Sequence, residues 1–250
     1  MNPIVIIPAR MSATRLPGKP LAEINGLPMI LHVRNRAIEA EVGRVVVAAG
    51  EQSICDVVRN AGGEAILTNP ELPSGSDRIF AALEQVDPGE AFDTVVNLQG
   101  DLPTLDPTLI HAVIEPLSSR GVDIGTLAAK ITDPEEEDCP DVVKVVMSPS
   151  EEAESRGRAL YFTRANAPWG QGDLLHHIGI YAYRRDVLKK FVQLKPSFLE
   201  KREKLEQLRA LENNIRIDVS IVDTVPLGVD TQNDLDKARL ILSGVSHALV

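Results

Sequence analysis

Short apolar runs rich in β-branched residues alternate with amphipathic stretches through the first half of the chain. Ile4–Ile7, Val45–Ala49, Ala65–Thr68 and Thr94–Leu98 are continuous rather than alternating, the pattern of strands buried on both faces. Helix candidates lie between them. One has Pro28 in its first turn and runs to Ala40. Another, Gln52–Ala61, stops at Gly62-Gly63, a left-handed terminator. A third begins near Asp77 and a fourth follows Asp106-Pro107. The repeated βα order predicts a parallel sheet with right-handed crossovers.

The second half is patterned differently. Apolar runs at Ile124–Ile131, Val142–Met147, Leu160–Thr163 and Ile178–Tyr183 have few helices between them, which predicts partly antiparallel strands. Thr132–Asp141 is acidic and bounded by proline, and Ser150–Gly157 is polar; both read as surface loops. Ser197 with Glu200 forms a capping-box start for one charged helix through about Glu212. Ile215, Ile217, Val219 and Ile221 alternate with Arg216, Asp218 and Ser220, as in a strand with one buried face. Thr231 N-caps a last helix, Gln232–Leu242, and the tail Ser243–Val250 is expected to fray. With no repeat and no linker, 1–250 reads as a single α/β domain carrying an extra β-rich module.

Composition narrows the function. The chain has 250 residues, 44% of them hydrophobic but only 4% aromatic, so its core is built from Val, Ile, Leu and Ala. A formal net charge of −10 speaks against a nucleic-acid binder, which should show a broad basic face. No stretch approaches membrane-spanning length and no signal-peptide core is present. Cys55 and Cys139 have no metal-ligand spacing, so reduced, buried thiols are expected. A soluble cytoplasmic protein is the expectation.

Against that acidic background, Arg10, Arg15 and Lys19 crowd one loop after Ile4–Ile7, with no carboxylate before Glu23. Pro8, Pro17, Gly18 and Pro20 stiffen the loop, and it stands at the carboxyl end of a predicted buried strand, where open α/β sheets bind ligands. Loop amides and several cations suit a polyphosphate. Asp101 follows Gly100 directly after Thr94–Leu98, and Asp230 stands in Gly228-Val229-Asp230-Thr231 before a helix. Asp101 reads equally as a turn residue and Asp230 as a helix cap. Together they could share one hard cation such as Mg2+, which takes one or two carboxylates and completes its shell with water and phosphate oxygens.

Other positions carry weaker signals. Ser74-Gly75-Ser76-Asp77-Arg78 opens a helix and could touch a phosphate, a ribose or a base edge, or simply cap that helix. Arg164 could fork onto a substrate carboxylate or serve a surface ion pair. His176 and His177, as neighbours on a strand, face opposite sides and cannot chelate one metal, so zinc is not expected. No side chain stands out as a general base.

The segments IPARMSATRLPGKPL, SGSDR, NLQGDLP, ALYFTRANAPW, HIGIYAYR, LEKREKLEQLR and VPLGVDTQNDL together resemble the 3-deoxy-manno-octulosonate (KDO) cytidylyltransferases, from Ile4 to about Leu242. The resemblance implies a Rossmann-like nucleotidyltransferase fold with a mainly parallel sheet. Elements of about 124–185 would contribute the sugar pocket and a dimerisation module in a homodimer. The implied reaction is CTP plus KDO giving CMP-KDO plus pyrophosphate, in lipopolysaccharide biosynthesis. Arg10, Arg15 and Lys19 would hold the triphosphate. Ser74, Gly75 and Arg78, with backbone of Pro8 and Ala9, would form the nucleotide pocket. Asp101 and Asp230 would bind Mg2+. Gln99, Arg164, His177, Tyr181, Glu206 and Gln207 would surround the sugar acid. Two departures stand out: Leu102 replaces a glutamate common in relatives, and Gly170–Leu175 is shorter than in some. Competing readings are activation of an amino-substituted KDO or a sialic acid, sugar-1-phosphate nucleotidyl transfer, and a non-catalytic nucleotide-binding regulator.

Overall fold

The computed structural model describes residues 1–12, 15–150 and 153–244. In chain order the elements begin with β1 (Pro3–Ala9), β2 (Glu23–Ile24), β3 (Leu27–Pro28), α1 (Met29–Glu39), β4 (Arg44–Ala49), α2 (Gln52–Asn60), β5 (Ala65–Leu67) and α3 (Gly75–Val86). They continue with β6 (Thr94–Asn97), α4 (Thr108–Ile114), β7 (Ile124–Lys130), α5 (Pro134–Glu137), β8 (Lys144–Pro149), β9 (Arg156–Thr163) and β10 (Leu175–Arg184). The last are α6 (Arg185–Gln193), α7 (Phe198–Glu203), α8 (Leu208–Glu212), β11 (Ile217–Val222) and α9 (Gln232–Leu242). Contacts divide the chain into two compact units, one comprising 1–93, 97–110 and 226–250, the other 94–96 and 111–225.

In the first unit β5, β4 and β1 lie side by side in that order and run parallel. Ile4–Ile7 and Val46–Ala49 are completely buried, which explains why these strands lack polar alternation. Helices start and stop where the punctuation predicts: α1 follows Pro28, and Gly62 after α2 takes a left-handed φ of 70°. Thr231 and Asp234 form a reciprocal capping box at α9. Beneath α9, Val229, Leu235 and Ala238 pack with Ile24 and Met29. This anchors the segment that carries Asp230.

In the second unit the strand order is β6-β10-β7-β11-β9-β8. β11 runs parallel to β7, whereas β10 with β7, β11 with β9 and β8 with β9 are antiparallel. The expectation of a mainly parallel sheet is therefore met in the first unit, while the second is mixed.

Four local expectations need correction. Thr132–Asp141 contains the short α5, capped by Asp133. Ser150–Gly157 ends inside β9, which starts at Arg156. The helix expected from Ser197 to Glu212 is two helices, because Lys204 adopts a left-handed φ of 58° and breaks it. That break turns Leu205, Gln207 and Leu208 into the core, which one straight charged helix would not allow. In β11, Asp218 and Ser220 are buried too, though less completely than Ile217 and Val219, since strands flank it on both edges and both faces are covered. Cys55 is buried, whereas Cys139 is only partly so; both are free thiols. The fraying expected of the tail falls largely on 245–250, outside the described residues.

Candidate active site

The carboxyl end of β1 opens a cleft of about 420 Å³ within the first unit, a size typical of small-ligand sites. Its wall includes Pro8, Ala9, Arg10, Arg15, Lys19, Ser74, Gly75, Arg78, Gln99, Asp101 and Asp230. These are all of the residues expected on nucleotide and metal, drawn from four separated stretches of sequence. Ser12, Leu16, Pro20, Leu72 and Gly100 complete it; of these, Ser12, Leu16 and Leu72 carry no signal in the sequence.

Local geometry explains the convergence. Gly18, with a left-handed φ of 71°, precedes a single 3-10 turn over Lys19–Leu21, and its N–H donates to Met11 O across the loop. Met11 N–H donates to the Glu51 carboxylate at 2.9 Å. Glu51 thus pins the cation loop, a role no sequence motif flagged. A Cβ on Gly100 would meet the Pro8 carbonyl oxygen at 2.7 Å, so only glycine permits this approach to β1. Val229 N–H donates to Asp101 O at 2.9 Å, tying together the two segments that bear the aspartates. Leu102, next to Asp101, is buried, as a leucine should be.

Lys19 occupies the centre. Its ammonium donates to Asp101 Oδ2 at 2.7 Å and to Asp230 Oδ1 at 2.9 Å. Arg15 takes the other Asp230 oxygen, Oδ2, at 2.8 Å. Burial disfavours the charged amine, yet the attraction of Asp101 and Asp230 outweighs it and holds the Lys19 pKa above its ordinary value. The two carboxylates therefore focus on one cation position, currently filled by an ammonium. No group of three or more His, Cys, Asp or Glu side chains that could hold a metal exists among the described residues. An ion needing three or four protein ligands is therefore unsuited, whereas one satisfied by two carboxylates plus water and phosphate fits.

At the opposite wall Ser74 caps α3, accepting from Asp77 N–H and donating to Asp77 Oδ2 at 2.7 Å. The Arg78 guanidinium, buried, donates to Thr68 Oγ1, Asn69 O and Pro70 O. Burial, and then neighbouring Arg10, lower its pKa. Arg78 thus braces the rim of the cleft.

The residues expected on the sugar acid, Gln99 apart, belong to the second unit. His177 on β10 is buried, its Nε2 lying 3.1 Å from Thr126 Oγ1 and its ring edge-on to Phe162. Burial, with a smaller push from His176, lowers its pKa to about 3, so it is neutral at pH 7. Tyr181 lies 5.6 Å from His177 between ring centroids, and burial, Tyr183 and Glu206 together raise its pKa well above the ordinary value. His176 faces away and meets Glu136 at 3.2 Å, as neighbouring strand positions require. Arg164 donates from Nε to Glu203 O and from Nη1 to Pro140 O. Its expected fork is therefore committed to carbonyls on two nitrogens. Glu203, unflagged in the sequence, accepts from Thr163 Oγ1, Tyr161 Oη and Arg164 N–H. Glu206 lies 3.6 Å from Arg209, and Gln207 is buried at the start of α8.

A strand-end cleft that pairs a cation loop with two converging carboxylates defines a nucleotidyl-transfer type of site. Consistent with this, the model of the cytidylyltransferase family matches residues 4–217. A 3-deoxy-manno-octulosonate cytidylyltransferase of Parvibaculum lavamentivorans is 62% identical over 97% of this chain and 93% of its own length. The enzyme of that name from Mesorhizobium japonicum is 58% identical over 97% of this chain and all of its own. A solved structure of a CMP:2-keto-3-deoxy-manno-octonic acid synthetase complexed with CTP superposes with a TM-score of 0.88 at 36% identity. It covers 97% of this chain and 99% of that one. The chain belongs to the 3-deoxy-manno-octulosonate cytidylyltransferase family.

Proposed function

We propose that this protein transfers the cytidylyl group of CTP to the anomeric hydroxyl of KDO, releasing pyrophosphate and supplying CMP-KDO for lipopolysaccharide biosynthesis. The observation that carries the reading is the meeting of Lys19, Arg15, Asp101 and Asp230 at one end of the first unit's cleft. Membership of the KDO cytidylyltransferase family supports the choice of nucleotide and sugar.

The chemistry asks mainly for positioning and charge neutralisation, because an oxygen nucleophile displaces pyrophosphate in line at the α-phosphorus. Arg10, Arg15 and Lys19 neutralise the triphosphate and the departing pyrophosphate. Backbone of Pro8 and Ala9, with Ser74, Gly75, Arg78 and Gln99, shapes the nucleotide pocket. Asp101 and Asp230 would hold Mg2+, which supplies charge neutralisation on phosphate oxygens and can lower the pKa of a bound hydroxyl. Lys19 and Arg15 leave those carboxylates as phosphate oxygens arrive.

Gln99, Arg164, His177, Tyr181, Glu206 and Gln207 receive the sugar acid. With Nε and Nη1 of Arg164 committed to carbonyls, its contact with the sugar carboxylate falls to Nη2. His177, neutral at pH 7, serves as a hydrogen-bonding wall and not as an acid or base. The same reading takes unit 1 as Rossmann-like and makes the protein a cytoplasmic homodimer joined through elements of about 124–185. Exposed Leu160 and Trp169 in that range support the interface.

The test is pyrophosphate release with CTP and Mg2+ against KDO, amino-KDO and a sialic acid. KDO is expected to give the fastest turnover, and Asp101→Asn to abolish it while leaving the circular dichroism spectrum unchanged. Pyrophosphate release without dependence on KDO, or normal turnover by Asp101→Asn, would overturn the assignment. Light scattering of the purified protein tests the dimer.

A further inference from the structure

The second unit holds another cleft, of about 450 Å³, whose wall includes Ser119, Arg120, Ser150, Arg156, Arg216 and Asp218. It lies at the amino-terminal ends of β7 and β11, where Ile217 pairs with Ile124. His177 and Tyr181 pair with Ala128 and Thr126, further along β7. Within this unit the cleft is therefore separate from the residues assigned to the sugar acid. Ligands of the main reaction in open α/β sheets bind at the carboxyl ends of strands, so this end is not accounted for by cytidylyl transfer.

Among the described residues of this wall, three guanidinium groups stand with one carboxylate, in a chain whose formal net charge is −10. Arg216 is held side-on by Asp218, Nε to Oδ1 at 2.8 Å and Nη2 to Oδ2 at 2.9 Å. That grip orients the guanidinium and leaves Nη1 outside the pair. Arg156 meets Glu115 only at 3.4 Å, longer than a charge-assisted hydrogen bond. Arg120 is exposed and makes no hydrogen bond or ion pair among the described residues. Arg184 donates to the carbonyls of Leu117, Ser119 and Val122, so the backbone that carries Arg120 is fixed. A second observation is independent of charge. Ser220 Oγ is buried and has no hydrogen-bond partner among the described residues. On β11 it shares a face with Asp218, two residues away, and it stands opposite Arg156 in the β9 register.

The geometry points to a phosphate-binding site in this cleft, with Arg120 and Arg156 on the phosphate oxygens and the oriented Arg216 completing the cradle. Its ligand is a phosphate dianion, either free or as the head of a small phosphomonoester for which the cleft has room. Guanidinium forks match phosphate geometry, and the excess of cations over carboxylates among the wall's described residues suits two negative charges.

Inorganic phosphate is the probe. It is titrated at constant ionic strength into the 15N-labelled full-length protein, following the Arg Nε–H cross-peaks. Saturable shifts of Arg120, Arg156 and Arg216 are expected, and Arg120→Gln and Arg156→Gln should each weaken the fitted affinity about tenfold or more. Arg120 is exposed, so its variant should keep the fold. Phosphate should also raise the melting temperature at this site by mass action, and the rise should shrink in both variants. Non-saturating shifts, an adventitious ion only, would overturn the proposal. So would unchanged affinity in both variants, or acetate binding as tightly as phosphate. A sugar phosphate that binds more tightly than phosphate at the same cross-peaks would assign the ester form.

Discussion

Replacing Lys19 by methionine tests the organisation of the catalytic cleft most directly. The substitution keeps the aliphatic reach of the side chain and removes only the ammonium. That ammonium contacts Asp101 at 2.7 Å and Asp230 at 2.9 Å, with the Lys19 side chain 15% exposed. Each contact is worth about 6 kcal/mol as a bare Coulomb term at an effective dielectric near 20. Desolvation and the partial exposure of both acids cut this steeply, leaving a net loss of about 1–3 kcal/mol when the cation goes and its partners stay. The variant should therefore unfold at lower urea than the wild type in EDTA, with an unchanged m-value. Adding Mg2+ without nucleotide should recover much of that loss in Lys19→Met but stabilise the wild type little, because there the ammonium already holds the position. Lys19→Gln should behave likewise. Equal urea midpoints in EDTA would show that the ammonium contributes nothing to the cleft. Equal stabilisation of both proteins by Mg2+ would show that the carboxylates do not define a shared cation site.

Three further outcomes are expected. Gly100→Ala should destabilise the protein by about 1–3 kcal/mol and raise the KM for CTP, since its Cβ would press on the Pro8 carbonyl; an unchanged melting temperature would refute that close approach. Arg15→Ala should lose roughly 10²–10³ in turnover, by analogy with deleted donors to developing charge. Its side chain is 63% exposed, so stability should move by no more than about 0.5 kcal/mol; a rate loss under tenfold would make it a surface residue. His177 has its folded pKa lowered to about 3 against an ordinary 6.5, so the unfolded chain binds the extra proton between those values. Its contribution is complete above pH 6.5 and is lost as pH falls towards 3, by up to about 1.4 kcal/mol per unit. A His177→Asn variant should show a correspondingly flatter dependence of urea midpoint on pH; an unaltered slope would place the acid sensitivity elsewhere.

Much of this arrangement is legible from residue types, and what is not has physical reasons. Ile4–Ile7 and Val45–Ala49 declare themselves because strands buried on both faces favour unbroken apolar runs, and Thr231 with Asp234 marks a helix start whatever surrounds it. The break at Lys204 is invisible, since lysine has no preference for a left-handed φ and only the burial of Leu205 and Leu208 demands it. The same holds for β11, where Asp218 and Ser220 look solvent-facing until β7 and β9 are seen on either side. Glu51 and Glu203 escaped notice because carboxylates that accept backbone N–H bonds lie far from the groups they fix. No local pattern records such a pairing.

The cation loop and the two aspartates illustrate the deeper limit. Read separately, Arg15 and Lys19 suggest an anion, and Asp101 and Asp230 suggest a cation. In the fold these opposite charges satisfy one another, Lys19 bridging both acids and Arg15 closing on the second. Half-buried carboxylates thereby avoid facing each other unneutralised. The same pairing couples the ligands. A metal ion displaces an ammonium only if that ammonium has an anion to move to, and triphosphate oxygens gain the ammonium fully only if the acids gain another cation. Nucleotide and Mg2+ should accordingly raise each other's affinity by the same factor, as linkage requires, with the coupling reduced in Lys19→Gln. Calorimetric titrations of CTP with and without Mg2+ measure that factor directly, and equal coupling in the variant would remove Lys19 from the exchange.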